Sequence, residues 1–537
     1  MCDVRSGLDK PDASEYPPRR PPVSTAFVAF FALFALAALA PAVVLRGFTV
    51  DDALITARYA ANVASGAGYR LSAGGPVTDG VTPLGFVYVL APFAGGAGGG
   101  ARGGVIGAFV AAKWLGVVAW TVAAGVLGLV VARRCAGAGS VGGSRGAWGA
   151  GGRWLVPLAL VATSAPLGAW APAGMETGVV LALGALAASL PLLERPRAGI
   201  ACAGIAAGLR PELLPWAATL GVGLFLSQPS ARDGASGASA DGATVEGAAL
   251  PSTAARRRSL LLLVFTFTPF VVVAAVRLAA FGRPAPLSIF AKAPDARLGL
   301  MYAAACALLA GGPALLAPRA ALQLRGFERA LAVSVPVHLV AIALAGGDWM
   351  PLSRLVVPVL PSLALAALLL AERAHLLATA ARLALAVAGQ TFVLVHVGPK
   401  AAAVGEDRMR VLDDLRPALA PARVVASLDI GWVGAATDAT LVDLAGVTDP
   451  AIAALPGGHT TKQIPAGLLD ARRADTLVLL LAPGEQVATP WTRSRFARGV
   501  EAWVATTPGI GDTFTPVAES SLPHLRYVVL RRAEPAR

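Results

Sequence analysis

Through the first three quarters of the chain, apolar residues run in long blocks separated by short polar stretches. The last quarter breaks into short alternating runs. A helix crosses the roughly 30 Å hydrocarbon core of a bilayer with about 20 mostly apolar residues. The blocks at 24–45, 105–132, 260–280 and 354–370 fit that length. Further blocks at 154–171, 179–193, 198–209, 213–226, 298–316, 330–345 and 375–395 are shorter or interrupted by Gly and Pro. Together they predict about eleven transmembrane helices at the usual length per span. From 398 onward, β-rich runs at 423–428, 440–444, 476–481 and 525–530 alternate with helical or turn segments, which predicts a small α/β domain. The expected fold is an α-helical polytopic membrane protein: an N-terminal tail at 1–23, a transmembrane domain at 24–397 and a soluble domain at 398–537.

Charge gives this pattern a direction. Placing Arg5, Lys10, Arg19 and Arg20 in the cytoplasm puts Lys or Arg in every inner loop, as the positive-inside rule requires. The first apolar block is too long for a signal-peptide core, so it reads as an uncleaved span. A long outer loop follows at 47–104, in which 51–64 and 83–94 are expected as short helices lying along the membrane surface. The Gly-, Ala- and Ser-rich stretch at 227–259 reads as a disordered cytoplasmic linker. The soluble domain then falls outside the cytoplasm.

Composition adds exclusions. The chain of 537 residues carries a formal charge of +13, but its Arg residues sit at the ends of apolar blocks and do not form a polar face. That argues for topology signals and against nucleic acid as a partner. The four cysteines all precede the soluble domain, so that domain has no disulfide. No Cys/His metal spacing, P-loop or GxGxxG fingerprint occurs.

Compact polar motifs all fall on the predicted outer side. Asp51 and Asp52 stand just beyond the first span. Adjacent carboxylates there repel each other and are partly buried, which raises one pKa and suits a general base; the same pair also serves to start a helix. Arg58 and Tyr59 follow at helical spacing, and a cation near the carboxylates can meet a phosphate, or simply snorkel to the interface. Glu176, Arg210, Glu212, Lys292, Asp348 and Arg354 recur at the outer ends of separate spans. Singly each is an ordinary interfacial anchor. Together they describe a pocket for an anionic headgroup plus a proton acceptor. His459 and Lys462 lie in the soluble domain, in Gly-His-Thr-Thr-Lys.

The run Phe48-Thr-Val-Asp-Asp-Ala-Leu-Ile-Thr-Ala-Arg-Tyr-Ala-Ala-Asn62 resembles the first outer loop of GT-C-fold membrane glycosyltransferases. It is most similar to the group of arabinofuranosyltransferases that add terminal arabinose in mycobacterial walls (AftB-like). Further similarities are Gly66-Ala-Gly68, Gly80-Val-Thr-Pro-Leu84, Gly174-Met-Glu-Thr177, Arg210-Pro-Glu212, Phe290-Ala-Lys292, Gly346-Gly-Asp-Trp349 with Arg354, and, in the tail, Leu444-Ala-Gly-Val-Thr-Asp449 and Gly458-His459 with Lys462. Two segments depart from the group. The Gly80–Leu84 segment lacks a Ser before Pro, and Pro286-Leu-Ser-Ile-Phe290 stands where the group has Pro-Asn-Thr-Phe-Tyr.

The resemblance implies a polyprenyl-phosphate sugar donor held at the outer interface of a bacterial-type plasma membrane, and an envelope glycan acceptor entering from the aqueous side. Asp51 or Asp52 would take the acceptor proton, and Arg58, Lys292 and Arg354 would steady the departing phosphate. Tyr59, Glu176, Arg210, Glu212, Asp348, His459 and Lys462 would line the substrate site. A divalent cation has a place in some enzymes of this fold, although the sequence offers no dedicated ligand set. The alternatives are a transporter or flippase for a lipid-linked glycan, and a non-catalytic envelope assembly protein. No internal repeat supports the transporter.

Overall fold

The computed structural model describes residues 25–95, 100–138, 152–227, 253–291, 295–487 and 491–533. The tail at 1–23 and residues 228–252 of the Gly/Ser-rich linker lie outside them; 253–259, expected as the end of that linker, instead form the start of the helix Thr253–Phe281. Among the described residues, five helices are long and apolar enough to cross a membrane: Thr25–Val44, Gly103–Ala136, Val264–Phe281, Gly326–Leu344 and the continuous stretch Leu376–Leu419. The remaining apolar blocks form shorter helices, including Thr177–Leu193, Pro196–Leu209, Pro211–Leu226 and Ala296–Leu309. So the blocks predicted as about eleven spans are helical, and five of the helices reach spanning length.

The shortfall has local causes. The block at 154–171 breaks at Thr163-Ser164, where the Ser164 hydroxyl caps a new helix by accepting from the Leu167 amide at 3.3 Å. The block at 298–316 stops at Gly311, whose φ of +98° ends the helix before a short 3-10 turn. In the block at 354–370 the first residues are not helical, and the helix runs Leu360–Ala371.

The C-terminal domain is built on a five-stranded sheet: β1 Val424–Ser427, β2 Thr440–Asp443, β3 Thr476–Leu480, β4 Phe514–Glu519 and β5 Tyr527–Arg532, in the order β2-β1-β3-β5-β4. The first three strands are parallel; β5 runs antiparallel to β3 and to β4. β4 escapes the sequence pattern because its run is Phe-Thr-Pro-Val-Ala-Glu. It is an edge strand whose central residues face water, and its ladder shifts at Pro516. The helix Gly398–Leu419 continues the last long apolar helix and packs on β4 and β5, joining the two parts of the molecule.

One expectation is corrected here. The helix Asp51–Ala64 does not lie on a membrane surface. Every residue from Ala53 to Asn62 is buried. The helix packs against Phe86–Ala94 and Gly100–Ala138 and also against Ile430–Ala436 of the C-terminal domain. That domain covers the face that the sequence would have left to water.

Candidate functional site

The polar motifs at the ends of the short helices converge into two linked ion clusters. Arg210, at the C-terminus of Pro196–Leu209, is 3% exposed. Its guanidinium donates to Glu176 Oε1 at 3.0 Å and to Glu212 Oε1 at 2.7 Å, and also to the Thr177 hydroxyl at 3.2 Å. Glu176, which starts the helix Thr177–Ser189, is 1% exposed, and its Oε2 accepts no hydrogen bond. Burial raises the Glu176 carboxyl, with Arg210 and Arg354 pulling the other way.

Arg354 centres the second cluster. Its Nε lies 2.7 Å from Asp348 and its Nη1 3.6 Å from Asp52. Asp348 and Arg354 are buried, whereas the Asp52 side chain is 41% exposed. The segment carrying them is strained. Leu352 and Ser353 hold φ of 57° and 58°, a conformation that costs of order 1–3 kcal/mol per residue and persists only where the surroundings enforce it. Those surroundings are visible. The Trp170 indole donates to the Leu352 carbonyl at 2.9 Å, the Leu355 amide donates to the Tyr302 hydroxyl at 3.2 Å, and the Leu355 carbonyl meets the His338 ring at 2.8 Å.

The two acidic neighbours have different surroundings. Asp51 and Asp52 begin one helix, where their charge suits the N-terminal dipole. Successive residues on a helix point about 100° apart, so the pair diverges. Asp51 turns to the C-terminal domain, and its carboxylate accepts the backbone amides of Gly431 at 3.0 Å and Trp432 at 2.7 Å. These amides open the turn after β1, the position where open α/β sheets receive an anionic ligand. Here the chain's own carboxylate occupies it. Gly431 is required there, because a Cβ would lie 2.1 Å from the Asp51 carbonyl oxygen.

Close by, Asp429 meets Arg498 at 2.7 Å, Arg408 at 3.5 Å and the Tyr527 hydroxyl. Burial pushes the Asp51 carboxyl well up, helped by the charge of Asp429 and opposed by the two amides. Burial alone would raise Asp429 too, but Arg498, Arg408 and the Tyr527 hydroxyl reverse that and hold it below the usual range.

The other predicted residues lie apart from this centre. Arg58 is buried, and its guanidinium donates to the carbonyls of Leu71 at 2.8 Å, Thr437 at 2.9 Å and Ala439 at 3.0 Å, and to that of Gly434. Burial draws it down to about 10. Its donors are spent clamping the helix Asp51–Ala64 to the Leu71 carbonyl and to the C-terminal domain, and none is aimed at an anion beside the carboxylates. Tyr59 is buried against Tyr69 and hydrogen-bonds Thr78 at 2.8 Å.

Lys462 is 2% exposed, and its ammonium donates to the carbonyls of Ala453 at 2.7 Å and Leu455 at 2.9 Å. It fixes the loop that bears His459 and forms one wall of a cavity of about 560 Å³ shared with Arg283 and Phe290. The His459 ring packs against Trp349, centroid to centroid 5.7 Å. Lys292 lies outside the described residues.

Sequence reading missed two pairings. Arg277, inside the apolar helix Val264–Phe281, is 1% exposed and pairs with Asp79 at 2.8 Å. A lone Arg in such a block was the available signal. The signal for Asp429, an isolated acid after a β run, was weaker.

The carboxylates of the two clusters are turned to guanidinium groups and not to one another. Among the described residues, no three His, Cys, Asp or Glu side chains form a group that could hold a metal ion. This donor set does not fit a divalent cation.

Residues 402–519 match a family model described as a domain of unknown function (DUF8728). No curated protein and no solved structure matches the chain. The matched segment includes the Asp51-binding turn, the Arg58-binding carbonyls of Gly434, Thr437 and Ala439, and the His459 loop.

Proposed function

We propose that the protein is a membrane glycosyltransferase that moves a sugar from a polyprenyl-phosphate donor to a glycan on the extracytoplasmic face. The observation that carries this reading is the convergence of Asp52, Asp348 and Arg354 beside Glu176, Arg210 and Glu212 at helix ends. A transfer that needs no nucleotide calls for one carboxylate able to take a proton and one cation able to steady a leaving phosphate. Asp52 is the carboxylate of the acidic pair suited to that task, because it is partly exposed while Asp51 is engaged by two amides. As the acceptor hydroxyl attacks the anomeric carbon, its proton passes to Asp52. The bond from that carbon to phosphate oxygen breaks, and polyprenyl phosphate leaves toward Arg354.

In this reading the C-terminal domain is extracytoplasmic and roofs the acceptor side. Arg58 and Lys462 hold that roof in place and do not touch the donor. Arabinofuranose is one candidate sugar, consistent with the resemblance of the outer loop.

The test is a transfer assay with protein in nanodiscs, offering polyprenyl-phosphate arabinose and mannose and following release of polyprenyl phosphate. Release that falls sharply in Asp52→Asn, with unchanged thermal stability, supports the reading. Release from wild type and Asp52→Asn at the same rate removes Asp52 as the base. Absence of release from every donor and acceptor pair would favour a transporter or an assembly role.

A further inference from the structure

We infer that Trp349 and His459 together form a platform on which a saccharide ring of the acceptor stacks. The inference rests on the transferase reading for its acceptor, but its observations are separate. Trp349 is 53% exposed, although it follows Asp348, which is buried. Large aromatics elsewhere on the surface, such as Trp114 and Tyr88, project from apolar helices, where lipid would cover them. Trp349 sits on the loop between the helices Gly326–Leu344 and Leu360–Ala371, and its ring packs against a histidine of the C-terminal domain.

Both loops that present the pair are fixed. On one side, Gly346 and Gly347 hold φ of 90° and 71°, and the strained Leu352 and Ser353 close the segment. A Cβ at Gly347 would lie 2.9 Å from Tyr302, so the loop is pressed against the helix Ala296–Leu309. On the other side, Lys462 binds two carbonyls at the base of the His459 loop, and the Gln463 amide closes it on the Pro456 carbonyl at 3.0 Å. An indole held half-exposed on a fixed loop offers a preorganised apolar face to a ligand ring.

The chemistry around it selects the occupant. A sugar ring offers an apolar C–H face to an indole and hydroxyls at its rim. The two rings, tilted 38° to one another, form an open angle and not a closed stack. Asp348, the chain neighbour of Trp349, and its partner Arg354 are both buried and anchor the loop, and Arg354 in turn stands 3.6 Å from Asp52. Trp349 is thereby tied, through Asp348 and Arg354, to the carboxylate proposed to take the acceptor's proton. The pair bridges the membrane part and the C-terminal domain, so the platform exists only while that domain is docked.

The experiment measures binding of short arabinofuranose and mannopyranose oligomers to the full-length protein in nanodiscs by saturation-transfer NMR and thermophoresis, with no donor present. Wild type is expected to bind one of them, Trp349→Ala to weaken that binding about tenfold, a loss of one contact's size, and Trp349→Phe and His459→Ala to fall between. All variants should keep the wild-type unfolding temperature. Equal binding by wild type and Trp349→Ala, or no binding of either oligomer by wild type, overturns the platform. Strong quenching of Trp349 by brominated lipid, read as the difference between wild type and Trp349→Phe, also overturns it by placing the ring in the bilayer. Oligomer binding without any donor turnover would keep the platform while removing the transferase reading.

Discussion

Two polar centres begin from adjacent residues, Asp51 and Asp52, and they are built in opposite ways. Around Asp51 the groups are closed in: two amides of the C-terminal domain, then Asp429 of that domain with Arg408, Arg498 and Tyr527. Around Asp52 the arrangement is open: the carboxylate is partly exposed and its Arg354 partner stands 3.6 Å away, beyond hydrogen-bonding range. Close pairing gives rigidity and removes reactivity. Loose pairing leaves a carboxylate able to accept a proton. The two residues are alike in type and differ in surroundings because one is held by a folded domain and the other is left partly exposed.

The largest effect is expected where pairing is tightest. Arg210→Met strands Glu176 in a site where it is 1% exposed, together with Glu212. Breaking a buried ion pair on one side costs about 3–5 kcal/mol. Thermal unfolding in detergent should show a steep drop, and adding Glu176→Gln and Glu212→Gln should recover much of it. A wild-type unfolding temperature for Arg210→Met would mean that the cluster contributes nothing to the fold.

Asp52→Asn separates the two centres most sharply. Transfer should fall by about 10²–10⁴-fold without a change in hydrogen exchange at 430–437. Asp51→Ala should do the converse. It removes the acceptor of the Gly431 and Trp432 amides, at about 1–3 kcal/mol, and exchange at 430–437 should speed up. If both variants gave the same exchange pattern, the contrast between the two carboxylates would collapse.

Arg58→Met leaves the carbonyls of Leu71, Gly434, Thr437 and Ala439 short of donors and should loosen the same joint by about 1–3 kcal/mol. Limited proteolysis near 437 reads this out. Specific loss of donor affinity with an intact joint would instead restore Arg58 as an anion ligand.

The smallest effect concerns pH. The Asp51 carboxyl is raised in the folded protein, so the fold holds that proton more tightly than the unfolded chain does. Its contribution to stability is fully present below the ordinary carboxylate value of about 4 and is lost as pH rises through the raised value. Asp429 is depressed; its contribution is present above about 4 and is lost only as pH falls through its own low value. Docking of the C-terminal domain should therefore tighten on mild acidification from neutral, and Asp51→Asn should flatten that response in exchange rates measured at several pH values.

Much of the secondary structure was legible in the chain. The acidic-pair helix begins at Asp51 as expected, and β1, β2, β3 and β5 fall on the predicted runs to within a few residues. These signals are local: period, turn chemistry and charge. The edge strand β4 was hidden because a solvated strand with an internal Pro carries no alternating apolar signal. The motifs Glu176, Arg210, Glu212, Asp348 and Arg354 were each visible as charges at the ends of apolar blocks, where any ionisable residue costs enough to need a reason.

What the sequence by itself determined is the class of molecule: apolar blocks force helices, because backbone groups in lipid must be satisfied within the segment, and the change of pattern near 398 forces a separate α/β unit. What only the tertiary structure decided is the division of labour among the charges. Nothing local distinguishes Asp51 from Asp52, or marks Arg58 and Lys462 as clamps for backbone carbonyls. For Asp51 and Arg58 those roles depend on partners hundreds of residues away, at Gly431, Gly434 and Ala439, for Lys462 on a loop that folds Ala453 and Leu455 back onto it, and for the acidic pair on the direction in which a helix turn points each side chain. A charge reads the same in every sequence context; its function is set by whether its neighbours in space saturate it or leave it exposed.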